Sequence, residues 1–204
     1  EDISRFLPSY FLTHGDYWSE QCRIPAQKIS IGYPDLIKRL NGYFRKQKTR
    51  SVNTNILFIS GGTVPDKLVA FVKDFIALNP TLQVTLRPHP SERPSMQQRY
   101  HELFELRVRL DIDNLYDTLS NADILVSFEV STVLFESIFF TNQIYLIDDD
   151  YANFYEQDSP FLRFNSPESL SAQIHSEAKL SISPDYFWAR DAEKKFSDFL
   201  QSRL

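Results

Sequence analysis

A single cysteine, Cys22, stands in a chain of 204 residues, so no intrachain disulfide can form and no thiolate-based metal site can be assembled. That scarcity suits a reducing compartment, and the cytoplasm is the expected location. Long apolar runs are missing as well. Nothing approaches the roughly 20 residues that a membrane-spanning helix needs, which leaves at most a peripheral contact with a membrane. The chain opens on Glu1-Asp2, unlike the basic start of a signal peptide. There is no cationic excess: 22 Lys and Arg against 27 Asp and Glu give a formal net charge of -5. That balance offers no long-range attraction to nucleic acid, and no such partner is expected. The four histidines are scattered, none in an H-E-x-x-H pattern, and no metal site is expected. Internal repeats at solenoid periods and low-complexity tracts are also absent.

What the chain does have is material for a core. Hydrophobic residues make up 42% and charged residues 24%, with 17 Phe and 10 Tyr supplying aromatic volume. The length suits one domain plus an appendage. Residues 1–50 form the appendage, with a short strand over Lys28 to Ile31, a helix over Pro34 to Lys46 and a polar linker over Lys46 to Asn55. The domain proper spans 51–204. Asn55 to Ser60 (N-I-L-F-I-S) is a short apolar run ended by Gly61-Gly62, as expected of a buried parallel strand. Pro65 opens a helix whose apolar residues recur at helical spacing until Asn79-Pro80. The rhythm then repeats. Strands are expected over Leu82 to Arg87, Arg107 to Ile112, Asp123 to Phe128 and Gln143 to Asp148, and helices over Ser95 to Leu106, Asn114 to Asn121 and Val133 to Phe140. The segment from Asp148 to Arg163 reads as irregular. Two closing helices follow, Pro167 to Glu177 and a longer amphipathic one over Pro184 to Leu204. Alternation of this kind predicts an α/β fold built on a Rossmann-like, doubly wound parallel sheet with C-terminal helices.

Open sheets of this class bind ligands outside the carboxyl ends of their strands, at a topological switch point. Two loops fall there: Arg87-Pro88-His89-Pro90 and Ser131-Thr132. Prolines on both sides of His89 restrict the backbone and hold the ring in one direction, suited to donating to a phosphate oxygen. The same histidine equally serves as a plain cap of a strand end. Ser131 and Thr132 begin a helix, where hydroxyls either cap it or join its free N–H groups in holding phosphate. Glu129 beside them reads as a solvated charge. Glu136 lies one turn further along, in V-L-F-E-S-I-F-F, where burial demands a partner such as ribose hydroxyls. The alternative is a Glu facing solvent. Gly61-Gly62 would let backbone approach a ligand closely, yet it lacks the G-x-G-x-x-G spacing and fits a simple turn as well. Asp148-Asp149-Asp150 reads as a solvated loop, although such a run also attracts divalent ions. His101 and His175 are read as surface or packing residues.

The order I-L-F-I-S-G-G, R-P-H-P, A-D-I-L-V-S-F-E-V-S-T-V-L-F-E-S and I-Y-L-I-D resembles the donor-binding half of GT-B glycosyltransferases. Within them, a His-Pro motif followed by a Ser-Thr motif is similar to bacterial polysialyltransferases, capsule polymerases and CDP-glycerol glycerophosphotransferases. The resemblance covers about residues 55 to 150. It implies that His89, Pro90, Ser131, Thr132, Gly61 and Gly62 hold donor phosphate and that Glu136 binds ribose. It further implies a nucleotide-activated donor of CMP or CDP type in preference to UDP, no separate cofactor, and a polysaccharide or lipid-linked acceptor. A weaker extension, Thr13-His14-Gly15 and Ile31-Gly32-Tyr33-Pro34-Asp35, is similar to the end of the acceptor-binding half, which makes His14 the general base. Only one Rossmann-like half and a remnant of the other are present. The resemblance therefore implies that the remaining half belongs to a longer enzyme or to a partner subunit. A nucleotide-sugar 2-epimerase and a non-catalytic nucleotide-binding module stay open as alternatives.

Overall fold

The computed structural model describes residues 7–44, 54–155 and 159–203. The acidic start at Glu1-Asp2 and most of the expected linker before Asn55 lie outside the described residues. The chain divides into two compact units, one comprising Glu1–Gln47 with Ile182–Leu204 and the other Lys48–Ser181. Both closing helices were expected in the larger domain, and the first, Pro167–His175, lies there. Residues 182 onward belong instead to the unit formed by the start of the chain.

In that first unit, strands β1 (Tyr10–Thr13) and β2 (Gln27–Ser30) pair in parallel, joined by a helix over Asp16–Gln21. A second helix, Pro34–Phe44, follows. The C-terminal part adds two helices, Pro184–Phe187 and Ala192–Gln201, rather than one long one. Asp191 between them adopts a left-handed backbone (φ 58°), which interrupts the helical path although the amphipathic pattern continues through it. The returning chain passes close to the early loops. Trp18 Nε1–H donates to the Phe187 carbonyl at 2.8 Å, and the Ala189 N–H donates to the His14 carbonyl at 2.7 Å. A β-carbon on Gly15 would lie 2.4 Å from the Phe187 carbonyl oxygen, so only glycine admits this approach.

The second unit is built on a six-stranded, wholly parallel sheet. Its strands are β3 (Asn55–Ile59), β4 (Gln83–Arg87), β5 (Arg109–Leu110), β6 (Ile124–Ser127), β7 (Ile144–Ile147) and β8 (Leu162–Phe164), in the spatial order β5-β4-β3-β6-β7-β8. The chain starts in the middle, moves outward through β4 and β5, returns beside β3 as β6, and moves outward the other way. The reversal puts the topological switch point between β3 and β6. Strands β6 and β7 are buried along their whole length, as short apolar runs without alternation require. The 14-residue helix Pro65–Leu78 covers one face, seating Phe71 and Phe75 against Phe58, Phe128 and Phe164 in edge-on and tilted aromatic contacts.

Several expected elements differ. The strand expected over Arg107 to Ile112 is confined to Arg109 and Leu110, because Arg107 turns with φ 60° and the last bond to β4 is the Asp111 N–H to the Leu86 carbonyl at 2.9 Å. The helix expected over Ser95 to Leu106 is split into a 3₁₀ turn over Pro90–Ser95 and short helices Met96–Arg99 and His101–Phe104; Pro94 within the first piece has no N–H to continue a helix. The segment after Asp148, expected to be irregular, supplies a helix at Asp150–Tyr155 and the edge strand β8.

Candidate functional site at the switch point

Three loops meet at the carboxyl edge of the sheet within the second unit. They follow β3 (Ser60 to Val64), β4 (Pro88 to Pro90) and β6 (Phe128 to Ser131). Gly62 has φ 95°, and a β-carbon there would come within 3.3 Å of the His89 ring. At Gly61 a β-carbon would fall 1.9 Å from Glu129 Oε2. The two glycines are therefore flanked by a carboxylate and an imidazole. Protein side chains thus approach both glycines closely.

His89 is exposed, and its backbone is held firmly. Glu92, only 2% exposed, accepts the His89 N–H at 2.8 Å through Oε2 and the Tyr100 hydroxyl at 2.9 Å through Oε1. The His89 Nδ1 accepts from the Ser91 N–H at 3.2 Å and lies 2.7 Å from the Ser91 hydroxyl. Accepting at Nδ1 puts the neutral ring's proton on Nε2, which has no hydrogen-bond partner among the described residues. The ring thus caps the 3₁₀ turn with one nitrogen and presents the other as a donor. Burial, with the Glu92 contact, pushes the Tyr100 phenol well above its ordinary range. Pro90 is exposed beside the ring. Arg87, the first residue of the motif, is buried and held by three bonds: Nη1 donates to Thr118 Oγ1 at 2.8 Å and Asp111 Oδ1 at 3.3 Å, and Nη2 donates to the Asp113 carbonyl at 2.8 Å. Desolvation lowers its pKa, although Asp111 opposes this.

Ser131 occupies the N-cap position of the helix Thr132–Ser137, but its side chain makes no capping bond. Its Oγ is enclosed and unpartnered. A buried hydroxyl in that state costs about 1–3 kcal/mol, and a χ1 rotation would be needed to relieve it. Thr132 is exposed. Glu136 is half-buried and accepts the Tyr116 hydroxyl at 2.9 Å, so the partner that its burial demanded includes a tyrosine. Glu129 corrects the sequence reading outright. It is not solvated but 5% exposed, and Oε1 accepts the N–H groups of Thr63 at 3.1 Å and Val64 at 3.2 Å, at the start of the helix Pro65–Leu78. The sequence signal was available: an acidic residue directly following an apolar strand, one strand away from a Gly-Gly turn with free backbone donors.

Asp149 pairs with Lys67 and accepts the Ala152 N–H at 2.8 Å; these contacts outweigh burial and hold its carboxyl below the usual range. Asp148 lies 3.6 Å from Arg163. No cluster of three or more potential metal ligands occurs among the described residues.

His14 belongs to the first unit, at the end of β1. Its ring lies 5.0 Å from the Tyr33 ring and 5.5 Å from the Trp188 ring, both tilted by 34°. A cleft of about 360 Å³ beside it is lined by Phe11, Leu12, Thr13, His14, Trp18, Gln21 and Cys22.

The second unit is accordingly a Rossmann-like α/β domain of the kind that forms one half of a GT-B fold, with polar loops gathered at its switch point. Solved structures of similar fold include a UDP-GlcNAc 2-epimerase from Neisseria meningitidis bound to UDP-GlcNAc (TM-score 0.60, 11% identity, 86% of this chain and 56% of that one). The GtfA/B complex is also similar (TM-score 0.56, 14% identity, 95% and 45%), as is Anabaena HepE in complex with UDP (TM-score 0.55, 12% identity, 98% and 66%). The chain spans about half the length of the first two. No known protein family matches the sequence, and no curated protein matches it. No helix among the described residues is long and apolar enough to cross a membrane.

Proposed function

We propose that this chain supplies the donor-binding half of a glycosyltransferase that moves a sugar or glycerophosphate from a nucleotide-activated donor to a polysaccharide or lipid-linked cell-surface acceptor, as in bacterial capsule synthesis. The observation that carries the reading is the placing of the Gly61-Gly62 turn, the exposed His89 ring and Ser131 in loops at one switch point. His89 donates to the donor phosphate, Pro90, Thr132 and the glycine turn border it, and Glu136 meets the ribose. His14 takes the acceptor hydroxyl proton as the acceptor oxygen bonds to the donor carbon or phosphorus. The departing nucleotide leaves with the bonding electron pair, its growing charge met by His89. Transfer then proceeds with inversion, without a covalent intermediate and without a separate cofactor. Catalysis requires the remainder of the two-domain fold, from a longer chain or a partner subunit, acting in the cytoplasm or at the inner face of the membrane.

The motif resemblance favours a cytidine nucleotide, whereas two of the similar structures hold UDP or UDP-GlcNAc. Calorimetric titration with CMP, CDP and UDP, on the wild type and on His89→Ala, separates these. Cytidine-selective binding that weakens at least tenfold in the variant supports the reading; binding unaffected by the variant refutes the role of His89. The likeness to an epimerase bound to UDP-GlcNAc supports a second reading, a nucleotide-sugar 2-epimerase. Formation of the C2-epimeric sugar from UDP-GlcNAc without any acceptor would favour it.

A further inference from the structure

Glu129 raises a question that the proposed donor site does not answer. A 5% exposed carboxylate has no cationic partner among the described residues, and its charge is met by two backbone N–H groups at the start of a 14-residue helix. Free N–H groups and a helix dipole make such a position favourable for an anion. Here the protein fills it with its own side chain. Glu129 is fixed in place at both ends: its carbonyl accepts the Ser127 hydroxyl at 2.7 Å, and its carboxylate packs against Gly61, where a β-carbon would stand 1.9 Å from Oε2. The next residue, Gly62, packs against the His89 ring. A fixed negative charge and the phosphate-directed histidine therefore flank consecutive residues of a single turn.

Resting on the donor-site reading, we propose that Glu129 sets how many phosphates the site accepts. Its carboxylate closes the start of the helix Pro65–Leu78 to phosphate and repels each further anionic group of a nucleotide chain extending past His89. In this arrangement, nucleoside monophosphates and diphosphates bind, and a third phosphate adds nothing. Nucleotide-activated donors carry one or two phosphates, so the device denies the free nucleoside triphosphates any advantage in competing with them. An amide in place of the carboxylate keeps the shape and one acceptor for the Thr63 and Val64 N–H groups while removing the charge.

The test is calorimetry on the full chain with two series, CMP, CDP, CTP and UMP, UDP, UTP, for the wild type and Glu129→Gln. In the wild type the triphosphate binds no tighter than the diphosphate. In Glu129→Gln the affinities rise in a graded way, the triphosphate gaining at least about tenfold, or about 1.4 kcal/mol, and the monophosphate least. A wild type that already binds triphosphate tenfold tighter than diphosphate overturns the proposal, and this result does not depend on the variant folding. An equal change across the series in Glu129→Gln also overturns it, reducing Glu129 to a structural support of the turn. If the wild type binds no nucleotide of either series, the donor-site reading fails and the proposal with it.

Discussion

Removing the carboxylate under the His-Pro loop tests whether that loop is held from below as the geometry implies. In Glu92→Ala, the His89 N–H and the buried Tyr100 hydroxyl lose an ionised acceptor at 2.8 and 2.9 Å. Hydrogen bonds to charged groups contribute about 1.5–3 kcal/mol each. Allowing for partial relaxation and for water reaching the half-buried His89 N–H, the expected loss is about 3 kcal/mol. Tyr100→Phe removes only the hydroxyl and leaves Glu92 with the His89 N–H and Arg99, so about 1.5 kcal/mol is expected. The double variant should then lose about 1–2 kcal/mol less than the sum of the singles, because the shared bond is counted twice. Both tryptophans, Trp18 and Trp188, lie in the first unit. Urea unfolding must therefore be followed by far-UV circular dichroism, with tryptophan fluorescence reporting the other unit as an internal control. A Tyr100→Phe variant within 0.3 kcal/mol of wild type, or strict additivity in the cycle, would refute the clamp.

The same tyrosine predicts a pH response. Its folded pKa is raised above the unfolded value near 10, so its contribution is complete below about pH 10 and declines as pH rises further, by up to about 1.4 kcal/mol per pH unit. Tyr100→Phe should flatten the difference between stabilities measured at pH 9 and pH 11. Gly62→Ala should destabilise the second unit by about 1–2 kcal/mol, since alanine at φ 95° is strained and its β-carbon meets the His89 ring; an unchanged urea midpoint would contradict this. Arg87→Met leaves Asp111 buried without its inner cation and should cost about 3 kcal/mol in the same assay, whereas loss below 1 kcal/mol would mean that Arg109 takes over. Asp191→Gly should stabilise the first unit by about 0.5–1 kcal/mol by relieving a left-handed aspartate, read as a higher midpoint in tryptophan fluorescence.

The inner strands were legible because burial on both faces writes a simple signal: Asn55 to Ser60, Asp123 to Phe128 and Gln143 to Asp148 all match within two residues. The edge strands were less so: β5 was expected but over Arg107 to Ile112, and β8 was missed. β5 has two paired residues and β8 three, too short to show a period, and their existence depends on neighbours already in place. The three loops of the candidate site were placed correctly at strand ends, yet the contacts among them were invisible. Glu129 sits 66 residues from the Thr63 N–H that it accepts, and Tyr116 stands 20 residues before Glu136. A pattern read locally sees a charge next to Ser131 and assigns it to water; only the folded chain reveals that two backbone donors claim it. The break at Asp191 was hidden for a different reason, because a left-handed turn of one residue leaves the hydrophobic pattern of the flanking helices intact.

The discontinuity of the first unit bears on how the chain is made. The ribosome releases Trp18 long before Phe187, its hydrogen-bond partner 169 residues later. The second unit, continuous in sequence, is free to assemble during synthesis, while β1 and β2 gain their contacts with residues 182 onward only after it. A chain stopped after residue 181 would on this account keep its six-stranded sheet and lose the contacts that Phe187 and Ala189 make with Trp18 and His14.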